Sequence, residues 1–338
     1  MIKYIKNVED FVMTLENIAL EAGVSVGSVS KAFKGSPEIS KKTRDKIFEI
    51  AKKHGCFDKY YKVPRHRPVI ALMPPEPESE YYGNEIGVLE RALFLRGADT
   101  LIAFTRFSPE KEARLFRMLA YEMKIDGFIL WSDGELIKNN DKIPLVALTS
   151  RDSTDNNAEI IKIDTEAAIS KLAETLKSFG HTKVAFIGDK YSHKKCEALR
   201  KAMRGAGIPI HNDYMIISDK RFADAGIEGM KKLTSCPDIP TVIVAAYDEI
   251  AYGAMQYAEK NGFSIPDDIS FVGMDDISVT EYLGVPLSSM HFELDKISDL
   301  IADIIFRKIE NKHYKERTEI TVPVTLKIRE SLKDISKK

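Results

Sequence analysis

Beyond Pro68 one pattern repeats along the chain. A run of four or five apolar residues is followed by a stretch with helical spacing, then by another apolar run. The runs lie at residues 69–73, 101–104, 127–131, 145–148, 184–187, 215–218, 242–245 and 269–273. Short continuous apolar runs of this kind fit strands buried on both faces of a parallel sheet. Helical spacing fills residues 85–96, 109–122, 166–179, 192–206, 223–233 and 248–261. Strands alternating with helices predict an α/β fold with doubly wound parallel sheets, and the roughly 270 residues after Pro68 are enough for two.

The chain has 338 residues, 44% of them hydrophobic and 30% charged, which suits two or three globular domains. It has no run of 18 apolar residues, so no membrane span and no membrane partner are expected. Residues 1–12 have no apolar leader pattern, and Cys56, Cys196 and Cys236 are scattered singly. Together these predict a cytoplasmic protein with no disulfide framework and no metal site. Charge is uneven. Residues 14–68 hold 12 Lys and Arg against 6 Asp and Glu, whereas the remainder after residue 68 holds 36 against 43. A basic head on an acidic body suggests a polyanion-binding module.

The head supplies the geometry for that reading. Thr14 is a good cap for a helix carrying Leu15, Ile18 and Ala19, although Asn17 stands where a capping box wants Glu or Gln. Gly23 ends this helix and Ser25 starts the next, whose apolar face is Val26, Val29, Ala32 and Phe33. Gly35 and Pro37 close it. Ser40 caps a third helix with Ile47, Ile50 and Ala51 inward, ending near His54 and Gly55. Three short helices with a tight glycine turn between the first two predict a helix-turn-helix, whose second helix enters the DNA major groove. An αα-hairpin packed through small residues is the plain alternative.

The stretch from Thr14 to Gly55 closely resembles the DNA-binding head of the LacI/GalR (lactose-repressor/galactose-repressor) family of bacterial transcription regulators. The likeness rests on the AGVS turn, on Ser28-Val29-Ser30-Lys31 and on Ser40-Lys41-Lys42-Thr43-Arg44. It continues through "FGHTKVAFIG", "IPDDISFVGMDD", "YLGVPLSSM" and "VPVTLKIRES" in the family's order. The resemblance implies DNA contacts from Thr14, Ser25, Val26, Gly27, Ser28, Ser30, Lys31, Lys34, Thr43 and Arg44. Lys31 stands where the family usually has Arg, and Lys34 where it often has Asn. Lysine is a point charge rather than a fork, so it reads a guanine edge less rigidly. The implied body has two lobes of periplasmic-binding-protein type with a small molecule between them. Head, linker and body are expected at 1–57, 58–68 and 69–338. Lobe one should take 69–163 and 293–318, and lobe two 164–290 and 321–338.

The linker departs from the family. It lacks the usual Ala-Arg-x-Leu hinge segment, and Pro64 and Pro68 bias Val63 and Arg67 toward extended backbone. An extended basic strap bearing Lys59, Lys62, Arg65 and Arg67 beside Tyr60 and Tyr61 is expected, touching phosphates with little bending of the DNA; a flexible tether that touches nothing is the plain alternative.

Ligands of open α/β sheets bind past the carboxyl ends of the strands. Asp248 follows "VIVAAY" and Asp275 follows "SFVGM", where each could bind hydroxyls or cap the next helix. The resemblance puts both on effector-contact positions. Lys195 stands in place of the family's effector-binding Arg, Tyr247 in place of an Asn, and Phe292 in place of a common polar residue. Tyr82, in a loop expected at residues 80–84, and Trp131, at a strand end, complete the effector-binding set. No nucleophile elbow, H-E-x-x-H, G-x-G-x-x-G or P-loop motif is present, so no catalytic residues, metal or cofactor are expected. The expected protein is a ligand-responsive regulator, a repressor in most relatives. It would bind a palindromic double-stranded operator as a homodimer, with a sugar or sugar derivative in the cleft. A solute-binding protein and an α/β enzyme acting on a small sugar or nucleotide are the competing classes.

Overall fold

The computed structural model describes residues 13–61, 67–132, 143–149, 159–311 and 319–336. The chain divides into two compact units, Met1–Arg67 and Pro68–Lys338.

In the first unit, helices α1 (Leu15–Ala22), α2 (Val26–Phe33) and α3 (Lys41–Lys53) enclose Ile18, Val29, Ala32, Ile47 and Ala51, all fully buried. The α1 capping box is complete, contrary to the expectation from Asn17. The Asn17 amide donates to Thr14 Oγ1 (3.4 Å), and the Thr14 amide donates to Asn17 Oδ1 (3.0 Å). A carboxamide one carbon shorter than glutamine still reaches. Gly23 takes the left-handed conformation, φ 71°, that glycine adopts without steric cost. Ser25 and Ser40 cap α2 and α3 by accepting from the Ser28 and Thr43 amides. A further turn, α4 (Phe57–Tyr60), extends the head beyond residue 57. Phe57 and Tyr61 stack on each other at 4.7 Å and pack against Phe48, and the Tyr60 hydroxyl donates to Met13 O. Tyr60 and Tyr61 therefore belong to the head's aromatic cluster rather than to a strap. Lys62, Val63, Pro64 and Arg65 lie outside the described residues.

The second unit has two sheets. The first comprises β1 (Val69–Met73), β2 (Asp99–Ile102), β3 (Gly127–Trp131), β4 (Leu145–Thr149), β5 (Glu159–Ile163) and β11 (Glu319–Val322). Its order is β11-β5-β4-β3-β1-β2, and every pairing is parallel. The second comprises β6 (Val184–Asp189), β7 (Met215–Ser218), β8 (Val242–Ala245), β9 (Ser270–Asp275), β10 (Ser288–His291) and β12 (Thr325–Lys327). Its order is β12-β10-β9-β8-β6-β7, with β12 antiparallel. Helices α5 (Glu80–Leu95), α6 (Pro109–Arg117) and α11 (Leu294–Glu310) serve the first sheet. Helices α7 (Thr165–Ser178), α8 (His193–Ala206), α9 (Phe222–Leu233) and α10 (Asp248–Lys260) serve the second.

Two boundaries differ from expectation. Ile320 pairs in parallel with Ile161, so lobe one runs through residue 322, and lobe two resumes at Thr325. Helix α5 starts at Glu80, so Tyr81 and Tyr82 sit on its first turn and not in a loop. The signature residues of the carboxyl-terminal segment act as staples. The Ser331 hydroxyl donates to Phe271 O, and Arg329 donates to Leu287 O and pairs with Asp276. His181 is buried between Thr241 and Lys333 O, and burial lowers its pKa.

Helices α9 and α10 approach backbone to backbone. A Cβ on Gly253 would lie 1.9 Å from Ala223 O, and one on Gly226 would lie 2.0 Å from Ile250 O. Neither obstacle is a movable side chain, so the helices themselves must separate. Gly253→Ala is expected to lower the melting temperature, with a cost of about 3 kcal/mol, at the upper end for overpacking. Gly205→Ala, at an exposed helical site with nothing within 4 Å, should instead stabilise by roughly 0.5–1 kcal/mol. Thermal denaturation of the two variants side by side checks the assignment, and a harmless Gly253→Ala would refute it.

Candidate functional site

On the head, burial divides α2 cleanly. Val29, Ala32 and Phe33 face the core, while Ser25, Val26, Gly27, Lys31 and Lys34 are exposed. Gly27, Lys31 and Lys34 are spaced as i, i+4 and i+7, one stripe of the helix. Val26, 39% exposed, is an apolar side chain with no core role, suited to contact with a thymine methyl. The Ser25 and Ser28 hydroxyls lie 2.9 Å apart and share a hydrogen bond. Ser30 is half-buried. Lys31 Nζ is held by Glu38 at 2.5 Å. Arg44 turns back to donate to Ser36 O and Ile39 O, so it braces the loop between α2 and α3. Thr14 and Thr43 are engaged in the caps of α1 and α3.

In the body, polar residues from both lobes meet past the strand ends. Asp275 ends β9 with φ 116°, a value that L-residues rarely adopt and that is retained where surrounding structure over-determines it. Its Oδ1 lies 3.9 Å from Lys195 Nζ, and its Oδ2 has no hydrogen-bond partner. Burial pushes the Asp275 carboxyl up to about 8. Lys195 opposes that rise, and the charges of Glu249 and Glu85 add to it. Lys195 also donates to Ala246 O (2.7 Å) and lies 4.4 Å over the Tyr247 ring.

Asp248 opens α10 and is fully buried. Its Oδ1 accepts from the Ser289 hydroxyl (2.6 Å) and its Oδ2 from the Ile277 amide (3.0 Å). A Cβ at Gly273 would lie 1.9 Å from Asp248 Oδ1, so glycine in "FVGM" makes room for this carboxylate. Both its oxygens are committed inside the protein. The structure thus gives Asp248 the part of a tie between α10, β9 and β10, whereas Asp275 keeps a free oxygen.

Lobe one contributes Glu85, 1% exposed, on α5. The Trp131 indole N–H at the end of β3 donates to Glu85 Oε2 (2.6 Å), and Oε1 has no partner. Burial raises this carboxyl to about 7, opposed by the Trp131 and Tyr81 donors. Tyr81 packs edge-on against Phe292 at 5.4 Å, and Tyr82 is half-buried within the field of Tyr247, Glu85 and Asp275. Residues 82, 131, 195, 247, 275 and 292 are thus brought to one region.

The lobes are also clamped directly. Arg221, at the start of α9, grips Glu76 of lobe one with both terminal nitrogens and donates from Nε to Asp189 at the end of β6 (2.7 Å). Glu76 and Asp189 are 4% and 0% exposed. Burial alone would depress the Arg221 pKa, but the two carboxylates more than offset it and raise it. The ring of Phe107 in lobe one stacks on that of Tyr191 in lobe two at 4.1 Å, and Arg221 lies over the Tyr191 ring at 4.8 Å. Glu249 Oε1 accepts from the Glu80 amide across the same junction (3.0 Å). Backbone strain gathers here. Arg106, Phe107 and Phe222, besides Asp275 and Asp276, have positive φ.

Glu85, Glu76, Asp189, Arg221 and Glu249 did not emerge from the sequence. One signal was available for Glu85. With Tyr81 four residues before it, it shares a helical face that the strand β1 delivers to the cleft. Among the described residues no group of three or more His, Cys, Asp or Glu side chains could hold a metal ion. No described helix is long and apolar enough to cross a membrane.

A helix-turn-helix unit with an exposed reading helix, in one chain with a two-lobed α/β body, defines a DNA-binding regulator with a sensory domain. Residues 14–56 match the family described as "Bacterial regulatory proteins, lacI family", and residues 173–332 match "Periplasmic binding protein-like domain". The chain is 28% identical over 333 residues to the HTH-type transcriptional regulator DegA of Bacillus subtilis (strain 168), covering 94% of this chain and 97% of that protein. A solved transcriptional regulator CelR–cellobiose complex superposes with TM-score 0.66 at 24% identity, over 95% of this chain and all of that one. A LacI-family regulator from Silicibacter pomeroyi superposes with TM-score 0.75 at 20% identity, over 95% and 99%. The chain thus carries a lacI-family DNA-binding head and a periplasmic-binding-protein-like body, and it is a DNA-binding transcription regulator.

Proposed function

We propose that this regulator is a cytoplasmic repressor that binds a two-fold operator as a homodimer and responds to a small polyhydroxylated effector between its lobes. The observation that carries this reading is the junction itself. Buried polar groups of both lobes converge on it, so a ligand there touches both lobes at once and couples their closure to the geometry of the dimer. The similar regulator complexed with cellobiose supports a sugar-like effector. No step of this reading calls for catalysis. Gel shifts against DNA upstream of the chain's own gene, with and without candidate effectors, test it. Failure to bind any duplex more tightly than random DNA would overturn it.

Lys31 gives a sharper test. Lys31→Ala should weaken operator binding by roughly 1–3 kcal/mol, the range of one good base contact. Glu38 competes with DNA for the same ammonium group. Glu38→Gln should therefore tighten binding, by up to about 1 kcal/mol since the pair is exposed. Equal affinities for parent and both variants would remove Lys31 from the reading helix.

A further inference from the structure

Two carboxyl groups face the interlobe cleft from opposite lobes, each with one oxygen unused. Glu85 of lobe one spends Oε2 on the Trp131 indole and leaves Oε1 unpartnered. Asp275 of lobe two has only the distant Lys195 near Oδ1 and leaves Oδ2 unpartnered. Both residues are more than nine-tenths buried, and each lies within the electrostatic reach of the Tyr81 hydroxyl. Of the other acids of the junction, Glu249 accepts from the Glu80 amide on Oε1 and also leaves Oε2 unpartnered, but it lies on the same lobe as Asp275. Glu76 and Asp189 share Arg221, and Asp248 is satisfied by Ser289 and the Ile277 amide.

A buried carboxylate is costly unless it is paired and hydrogen-bonded. A neutral hydroxyl brings no charge, so beside it each buried carboxyl must keep a proton of its own. An ammonium group supplies three donors and the missing charge. Aromatic side chains gather near the place, among them Tyr81, Tyr82, Trp131, Tyr247 and Phe292, and aromatic faces favour both a cation and the apolar side of a sugar ring. Lys195 already lies over Tyr247 and is the cation on the Oδ1 side, while no described cation pairs with Oδ2 or with Glu85.

Resting on the reading of this cleft as the effector site, we propose that the effector is a polyhydroxylated amine of the amino-sugar class, its ammonium group seated between Glu85 and Asp275. The groups facing this seat are Tyr81 and Tyr82 on α5, Trp131 on β3, Lys195 on α8, Tyr247, Asp248, Glu249 and Tyr252 at and on α10, and the two carboxyls themselves. Without a paired cation, burial keeps both carboxyls largely protonated near pH 6. A bound ammonium favours their ionised forms, so uptake of the amine releases protons. A neutral sugar has no such effect.

The experiment is calorimetry and thermal shift on the full chain at pH 6, in amine-free buffers of two different ionisation enthalpies. The probes are glucosamine, galactosamine and mannosamine against glucose, galactose, mannose and the N-acetylated hexosamines. At least one free amine should bind roughly tenfold or more tightly than its neutral counterparts, with release of about one to two protons per ligand. Glu85→Gln keeps an acceptor for Trp131, and Asp275→Asn keeps the shape of its side chain. Each should cost the amine roughly tenfold or more and reduce the proton release, with circular dichroism verifying the fold. A neutral hexose that binds as tightly as its amine, or amine binding without proton release, overturns the proposal while leaving the effector cleft in place. Binding of none of these amines overturns it as well. The operator gel shift then decides the regulator reading independently.

Discussion

Arg221→Ala is expected to unlatch the two lobes. The guanidinium is the only described cation within hydrogen-bonding range of Glu76 and Asp189, and both acids are almost completely buried. Removing one partner of a buried ion pair costs about 3–5 kcal/mol, because the remaining charge stays out of water. Here the molecule has a cheaper response than unfolding. Glu76 belongs to lobe one, so opening the junction rehydrates it. Asp189 keeps the Ser192 hydroxyl and the Tyr191 amide on Oδ1. Most of the loss should therefore appear as a larger radius of gyration by small-angle X-ray scattering, with a smaller change in the unfolding of each lobe. Arg221→Lys keeps the charge but not the fork that spans two carboxylates, so it should fall between parent and alanine. A closed Arg221→Ala body, with parent-like scattering, would show that Phe107, Tyr191 and the Glu80–Glu249 bond suffice. An opened variant should also respond to effector differently, since closure then has to be driven by the ligand alone.

The second large effect is on pH dependence. Glu85 titrates near 7 in the folded protein against 4.5 for an unperturbed glutamate. Between those values the folded state holds a proton that the unfolded state has lost. Stability contributed by this residue is therefore full below about pH 4.5 and declines as pH rises toward 7. Two and a half pH units at about 1.4 kcal/mol each amount to about 3 kcal/mol. Asp275 pushes in the same direction, and Asp276 in the opposite one. Hydrogen bonds from Lys327 and Arg329 outweigh burial and lower the Asp276 carboxyl, so its contribution is lost only in acid. The difference between parent and Glu85→Gln isolates one residue. The two should denature alike near pH 4, and the variant should be the more stable at pH 8. Parallel denaturation curves from pH 4 to 8 would mean that Glu85 is solvated and ionised throughout.

Much of the architecture was legible because it depends on local periodicity. The apolar runs at 69–73, 127–131 and 242–245 became β1, β3 and β8 with those limits. The caps at Thr14, Ser25 and Ser40 are local hydrogen bonds that reach three residues along the chain, so they can be read from spacing alone. The exposed stripe of α2 follows from which of its residues are apolar. Where the local signal was thin the reading fell short. Strand β11, with exposed Glu319 and Thr321, has no continuous apolar run and is defined by its partner β5. The first turn of α5 carries two tyrosines and a glycine, a composition that reads equally well as loop.

By itself the sequence determined the helix-turn-helix head, the doubly wound sheets and their order along the chain, since hydrophobic spacing and capping act over a few residues. It also placed Asp248 and Asp275 past strand ends, but it could not tell their roles apart. Only the tertiary structure did so, by filling both oxygens of Asp248 from Ser289 and Ile277 and leaving one oxygen of Asp275 bare. Likewise Arg221 and Glu76 are 145 residues apart, and Glu85 and Asp275 come from different lobes. Ion pairing and desolvation depend on distance in space and on the exclusion of water, and neither is encoded in the spacing of residues along the chain.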